Sequence, residues 1–317
     1  MKGFLLKISI WLALAVGCHL VAAYFADGHT DAYYLKFTGE PRPGLVLGTS
    51  RAAQGIDPGV MHTLLVEHLR DPDLLNYSFT IGHSPYGPTY LSSIKKKLDR
   101  NAHHGLFVLS VDPWSLSIAK SHFISRDDPF PEDEHTLGRQ WSVNSTPNVE
   151  YLVKNYTYGW GRMIVGRWYP FDSYVTLHNS GWLEVNVPMD SAIVVQRRLE
   201  KVALYNMMAE VTETPSERRI EYLEKTIDLL MQHGTVVLLR MPTHQDILRI
   251  EQNYWPGFHA MLVQMAERKQ VRFIDHTPLC NNFVYTDGNH LAASSVPDYS
   301  RRLAAEIGAL LNTGTQP

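Results

Sequence analysis

The stretch Leu106-Phe107-Val108-Leu109-Ser110-Val111 is apolar without alternation and is bracketed by segments of helical period, a combination that constrains the fold more than any other feature of the chain. A strand that is apolar on both faces must be covered on both, as in a parallel sheet held between two layers of helices. The pattern recurs. Leu45-Val46-Leu47 is a short apolar run stopped by Gly48. Asp57-Pro58 then supplies a helix N-cap with proline at the first helical position, and Val60, Leu64, Leu65 and Leu69 follow at helical spacing. Residues 74–81 read as a strand and 90–98 as a helix whose Lys95, Lys96 and Lys97 form a solvated face. Further on, 220–231 reads as an amphipathic helix, 235–239 as a strand, 257–268 as a helix and 271–274 as a strand. Residues 297–311 close the chain as a helix, with Val296, Tyr299, Leu303, Ile307 and Leu310 on one side. Strands separated by helices predict an α/β fold, a three-layer α/β/α sandwich around a parallel sheet.

Between about 118 and 214 the alternation is lost and aromatic residues crowd in: Tyr151, Tyr156, Tyr158, Trp160, Trp168, Tyr169, Phe171, Tyr174 and Trp182. This reads as an insertion within a domain spanning 45–317, its rings either stacking on sugars or forming the core of a cap. With 317 residues, 44% of them hydrophobic, the chain can bury a sizeable core. Its 29 basic against 32 acidic side chains give no electrostatic footprint for a nucleic-acid partner. Cys18 and Cys280 cannot make a disulfide framework or a four-cysteine zinc site, and Cys280 reads as structural. His83, His103, His104, His244, His259 and His276 show no metal-ligand spacing, and no glycine loop is built to cradle a phosphate. Neither a metal nor another cofactor is expected.

Residues 8–26 carry no formal charge, with Lys2 and Lys7 before them and Asp27 and Asp31 after, which is about one bilayer thickness of helix. Three readings are open for residues 1–26: an uncleaved membrane anchor, a removable signal peptide and a buried amphipathic helix. The leading lysines favour a cytoplasmic start and place everything after Asp27 on the external side. Residues 27–44, ending in Glu40-Pro41-Arg42-Pro43-Gly44, read as a linker from the membrane to the globular part.

In a parallel α/β sheet the reactive crevice lies beyond the carboxyl ends of the strands. Those positions hold Gly48-Thr49-Ser50-Arg51, Gly82-His83-Ser84, Asp112-Pro113-Trp114, Met241-Pro242-Thr243-His244 and Thr286-Asp287-Gly288-Asn289-His290. A serine hydroxyl becomes a nucleophile when an imidazole takes its proton, and the imidazole needs a carboxylate to fix its tautomer. Ser50, His290 and Asp287 are the candidates. The backbone N–H groups of Ser50 and Gly82 are candidate donors to an oxyanion. Taken alone, Asp287-x-x-His290 is weak: 17 aspartates and 15 histidines in this length give about one such pair by chance. The joint placement of the serine after the first strand and the pair before the last helix carries the weight.

At these residues the chain resembles the SGNH, or GDSL-type, hydrolase superfamily over about 44–116 and 216–311. Ser50 stands in its first block, Gly82 in its second, and Asp287 and His290 in its last. The segment from Gly48 to Pro58 resembles the membrane-anchored branch, which includes the D-alanyl transfer proteins of lipoteichoic acid and acetyltransferases of exported polysaccharides. The resemblance implies ester hydrolysis or acyl transfer through an acyl-serine, on an acylated glycan or small ester, with a multi-span membrane acyltransferase as a partner. The sequence departs from the family in two places. Thr49 precedes the serine in place of aspartate, and Ser110-Val111-Asp112-Pro113-Trp114 replaces the third block, whose asparagine supplies an oxyanion donor. Asp112 is therefore either a site residue or a turn and helix cap. Arg51 either holds an anionic group of the substrate or pairs with an internal acid. The altered third block also supports a second expectation, a catalytically silent scaffold of an envelope assembly.

Overall fold

A computed structural model describes residues 2–25, 31–120, 136–155 and 174–312. In chain order, α1 (Lys2–Phe25) precedes β1 (Gly44–Leu47), α2 (Ser50–Gly55), α3 (Pro58–Leu65), β2 (Leu74–Asn76), α4 (Pro88–Lys97) and β3 (Gly105–Ser110). An excursion follows, with β4 (Ile118–Ala119), α5 (Thr136–Arg139), α6 (Val149–Asn155), β5 (Val175–Leu177), β6 (Leu183–Val185), α7 (Ser191–Val211) and β7 (Thr212–Glu213). The chain returns through α8 (Glu217–Met231), β8 (Gly234–Arg240), α9 (Gln245–Tyr254), α10 (Phe258–Lys269), β9 (Arg272–Asp275) and α11 (Val296–Asn312).

The fold is α/β. Its central sheet has five strands in the order β2-β1-β3-β8-β9, all parallel. Side chains alternate across it, as the strand period of two requires. Leu45, Leu47, Phe107, Leu109, Val236 and Leu238 meet Leu223 and Ile227 of α8 and Phe258 and Leu262 of α10 on one face. Val46, Leu106, Val108, Val237 and Leu239 meet Met61 and Leu65 of α3 and Tyr299, Leu303 and Ile307 of α11 on the other. Each large apolar side chain buried in these layers contributes about 1.5–3 kcal/mol relative to exposure. At the two ends of the excursion, β4 pairs antiparallel with β7.

Three expectations change. The strand foreseen over 74–81 stops at Asn76, whose backbone N–H is taken by the Ser180 carbonyl and whose side-chain amide donates to the carbonyls of Ala52 and Ile56 at the end of α2. Helix α1 is exposed over most of its described length, with Ala23 and Phe25 at its end packing against the core, which removes the buried-helix reading; it is long and apolar enough to cross a membrane. Of the insertion's aromatics, Tyr156, Tyr158, Trp160, Trp168, Tyr169 and Phe171 lie outside the described residues, whereas Tyr151 and Trp182 are buried.

The third change concerns the lysine run. Lys95 is exposed, but Lys97 is fully buried, its Nζ donating to the carbonyls of Thr38 at 2.6 Å and Val143 at 2.9 Å. Lys36 is built the same way, donating to Asn76 and Ser78 carbonyls at 2.8 and 2.6 Å. A neutral amine has two N–H groups, and each lysine meets two carbonyls, so the buried end is satisfied without a charge. Burial, reinforced by Arg42, pulls Lys97 from 10.5 to about 7, and burial holds Lys36 well below its ordinary range. Above that value the folded side chain is neutral while the unfolded one remains protonated, so unfolding takes up a proton and stability rises with pH. The urea midpoint should climb between about pH 7 and about pH 9.5, before tyrosines titrate, and Lys97→Met should flatten part of that rise.

Candidate active site

The order β2-β1-β3 places a switch point between β1 and β3, where the connection out of β1 runs to one neighbour and that out of β3 to the other side. The chain turns there at Gly48, whose φ of +145° and 2.8 Å clearance between a built Cβ and the Ser110 side chain exclude other residues without strain. Thr49 follows as the N-cap of α2, and its hydroxyl donates to Asp112 Oδ2 at 2.7 Å, tying the end of β1 to that of β3. Ser50 is the first residue of α2, so its amide belongs to the helix's first turn, which has no acceptor four residues back.

The other half of the site is a turn after β9. Tyr285 and Leu291 form an antiparallel bridge, and between them Asp287 Oδ1 accepts the backbone N–H groups of Asn289 and His290, both at 2.9 Å. Gly288 takes φ +84° to let the turn close. His290 Nδ1 then lies 2.9 Å from Asp287 Oδ2, and His290 Nε2 lies 2.8 Å from Ser50 Oγ, across 240 positions of sequence. With Nδ1–H donated to the carboxylate, Nε2 carries the lone pair that faces the serine hydroxyl. Burial alone would raise the Asp287 carboxyl. The hydrogen bond and charge of His290, the charge of Lys201 and the backbone N–H outweigh it and hold Asp287 well below the usual carboxylate range.

Ser50, Asp287 and His290 are thus brought together. The other candidates fare differently. Arg51 turns inward: its Nε donates to Asn289 Oδ1 at 2.8 Å and its guanidinium pairs with Glu251, both partners almost fully buried. That is the internal-acid alternative, and the arginine has no part in holding an external anion. Asp112 caps the short turn 113–116, accepting from Ser115 N at 2.9 Å while Ser115 Oγ accepts from the Asp112 amide. Burial raises its carboxyl, with the charge of Arg51 opposing and that of Glu251 adding. Both its oxygens are occupied as acceptors, from Thr49 and Ser115, so it offers no donor at this position. Gly82 is exposed in the turn 81–83. In that turn the His83 and Ser84 amides donate to the Thr80 carbonyl; those of Ile81 and Gly82 engage no backbone acceptor among the described residues.

Three contributors escaped the sequence reading. Asn289 presents Nδ2 3.0 Å from His290 Nε2, with its Oδ1 fixed by Arg51 and by the Tyr205 hydroxyl at 2.8 Å. Its N–H and the Ser50 O–H therefore share one lone pair. Lys201 and Tyr205 come from α7 in the excursion, and Lys201 Nζ sits 3.2 Å from Asp287 Oδ2. Their signal is a helix whose polar and aromatic residues 198, 201 and 205 share one side while Val195, Leu199, Met207 and Val211 remain exposed. Together with Trp114, Leu204 and Met208, these residues enclose a pocket of about 100 Å³ over Ser50. A larger cleft of about 640 Å³ lies along α10, β9 and α11 and holds none of the three reactive groups.

No protein-family profile matches the chain, and no curated protein does. Among solved structures, the chain is similar to the inhibitor-bound form of an M. smegmatis aryl esterase at 9% identity and a TM-score of 0.36, over 85% of this chain and 99% of that one.

The inward ion pair generates a stability prediction. Glu251→Gln leaves two buried arginines, Arg51 and Arg240, without their shared acid and should cost about 3–5 kcal/mol, Arg51→Gln leaves Glu251 with Arg240 at 3.6 Å and should cost less, and the double replacement Arg51→Met with Glu251→Leu, which leaves only Arg240 unpaired, should lose less than Glu251→Gln. Urea unfolding of the three variants measures it, and equal losses in Glu251→Gln and the double variant would contradict the pairing.

Proposed function

We propose that the protein cleaves or transfers an ester-linked acyl group through an acyl-serine on Ser50. The observation that carries this reading is the unbroken chain from Ser50 Oγ to His290 Nε2 at 2.8 Å and from His290 Nδ1 to Asp287 Oδ2 at 2.9 Å, opening on a pocket. Ser50 Oγ attacks the acyl carbon while its proton passes to His290 Nε2, and Asp287 stabilises the imidazolium. The oxyanion is received by the Ser50 amide, with the Gly82 amide as second donor. His290 then protonates the departing alkoxide, and water or a sugar hydroxyl, deprotonated by the same imidazole, releases the acyl group. Asp287 stays ionised into strong acid.

The pocket's size bears on the acyl group. A dry cavity of about 150 Å³ accommodates benzene, so about 100 Å³ suits an acyl chain of a few heavy atoms such as acetyl. The α1 span, with Lys2 and Lys7 at its start, supports anchoring with the catalytic domain on the external side, where acylated envelope glycans are the substrates and a multi-span membrane acyltransferase the acyl donor's carrier. Asp112's commitment to capping supports the alternative of a silent scaffold, because one oxyanion donor of the resembling family has no counterpart.

A fluorophosphonate probe decides between them. Wild type should be labelled, and Ser50→Ala and His290→Ala should lose labelling and at least about 1000-fold of turnover on an acetyl ester. An unlabelled, folded wild type would leave the scaffold reading standing.

A further inference from the structure

We infer that Lys201 is a positioning residue that sets the pH at which His290 becomes available as a base, by sharing with it one oxygen of Asp287. The inference rests on the reading of His290 as the base and deepens it. Asp287 Oδ2 lies 2.9 Å from His290 Nδ1 and 3.2 Å from Lys201 Nζ, so one carboxylate oxygen serves both cations when the imidazole is protonated. The ammonium acts on His290 twice. It draws carboxylate charge away from the ring, and it is itself a like charge near an imidazolium; both disfavour protonated His290 and keep Nε2 free to lower pH.

Other ionisable groups face this pair from every side, but each is engaged by other partners or held neutral by burial. From α7, Arg198 packs over Gly288 and meets Asp246 at 3.4 Å and the His244 ring at 2.9 Å, at the start of α9. From α2, Arg51 is matched by Glu251 of α9. Asp112 at the end of β3 is held by Thr49 and Ser115, and the Tyr205 hydroxyl is spent on Asn289. Tyr285, in the same turn as the pair, is kept protonated by burial. Lys201 is the cation whose ion-pair partner is Asp287 itself. The excursion thus supplies more than a wall for the pocket, since one of its side chains reaches the acid at the far end of the relay and tunes what the near end can accept.

Lys201→Met keeps the aliphatic stem and removes the charge, while Lys201→Arg keeps the charge. The acid limb of the pH profile for acetyl-ester hydrolysis should move up by about one pH unit in Lys201→Met and stay in place in Lys201→Arg. A merely structural lysine would lower the rate at every pH and leave the midpoint where it was, and that result overturns the inference. Proton NMR titration of the His290 ring in the Ser50→Ala background, with and without Lys201→Met, reads the same shift without any turnover. If the wild type proves inert but the ring midpoint still rises, the catalytic reading fails and the Lys201 coupling holds; if turnover is present and neither midpoint moves, the coupling fails alone. Should Lys201→Met not fold, Lys201→Gln is judged by the same two midpoints.

Discussion

Two connections that leave neighbouring strands toward opposite faces of one parallel sheet create the crevice on which the rest of this protein depends. The chain leaves β1 into α2 and α3 on the face shared with α11, and after β3 it returns through α8 on the other. The first residues beyond each strand face this gap and, with the helix α7 above it, line the pocket. Thr49 and Asp112 bridge that gap by a 2.7 Å hydrogen bond, fixing where α2 begins and therefore where the Ser50 hydroxyl points. The sheet supplies rigidity, and the hydrophobic layers on its two faces hold the register that makes a contact between residues 240 positions apart reproducible.

The Asp287 turn performs the complementary task with little material. One carboxylate oxygen closes the turn by accepting two backbone N–H groups, and the other is shared by the imidazole and Lys201. The geometry of the acid is thereby set by the main chain rather than by side-chain packing, which limits the freedom of the His290 ring before any substrate arrives. Beneath it, the buried Arg51–Glu251 pair orients Asn289 through a 2.8 Å hydrogen bond, so a charged layer lies under a pocket whose upper wall is largely apolar.

The strands β1, β3 and β8 were legible because a doubly covered strand leaves an uninterrupted apolar run, and α8, α10 and α11 because each buries one stripe against the sheet. Ser50, Asp287 and His290 were legible as candidates from their placement at strand ends. Other features depended on contacts that leave no local trace. Glu251 is 200 positions from Arg51, and nothing around either residue announces the other. Lys97 sits in a run of three lysines that reads as wet, and only the carbonyls of Thr38 and Val143 make its burial tolerable. Helix α7 defeats periodicity for a different reason: Lys201 and Tyr205 face inward beside Val202 and Met208 while Val195, Leu199, Met207 and Val211 stay exposed, so no clean apolar stripe marks its inner side.

The two-residue pairing of β4 with β7 acts as a neck for the whole excursion between them. A segment pinched at its base can grow or shrink at an entropic cost that rises only with the logarithm of its length, while the sheet below keeps its register. Descendants of such a chain can therefore exchange the groups that overhang the serine, provided that Val143, Tyr151 and Leu152, which pack in the sheet's own core, and Ser180, which holds Asn76, are kept.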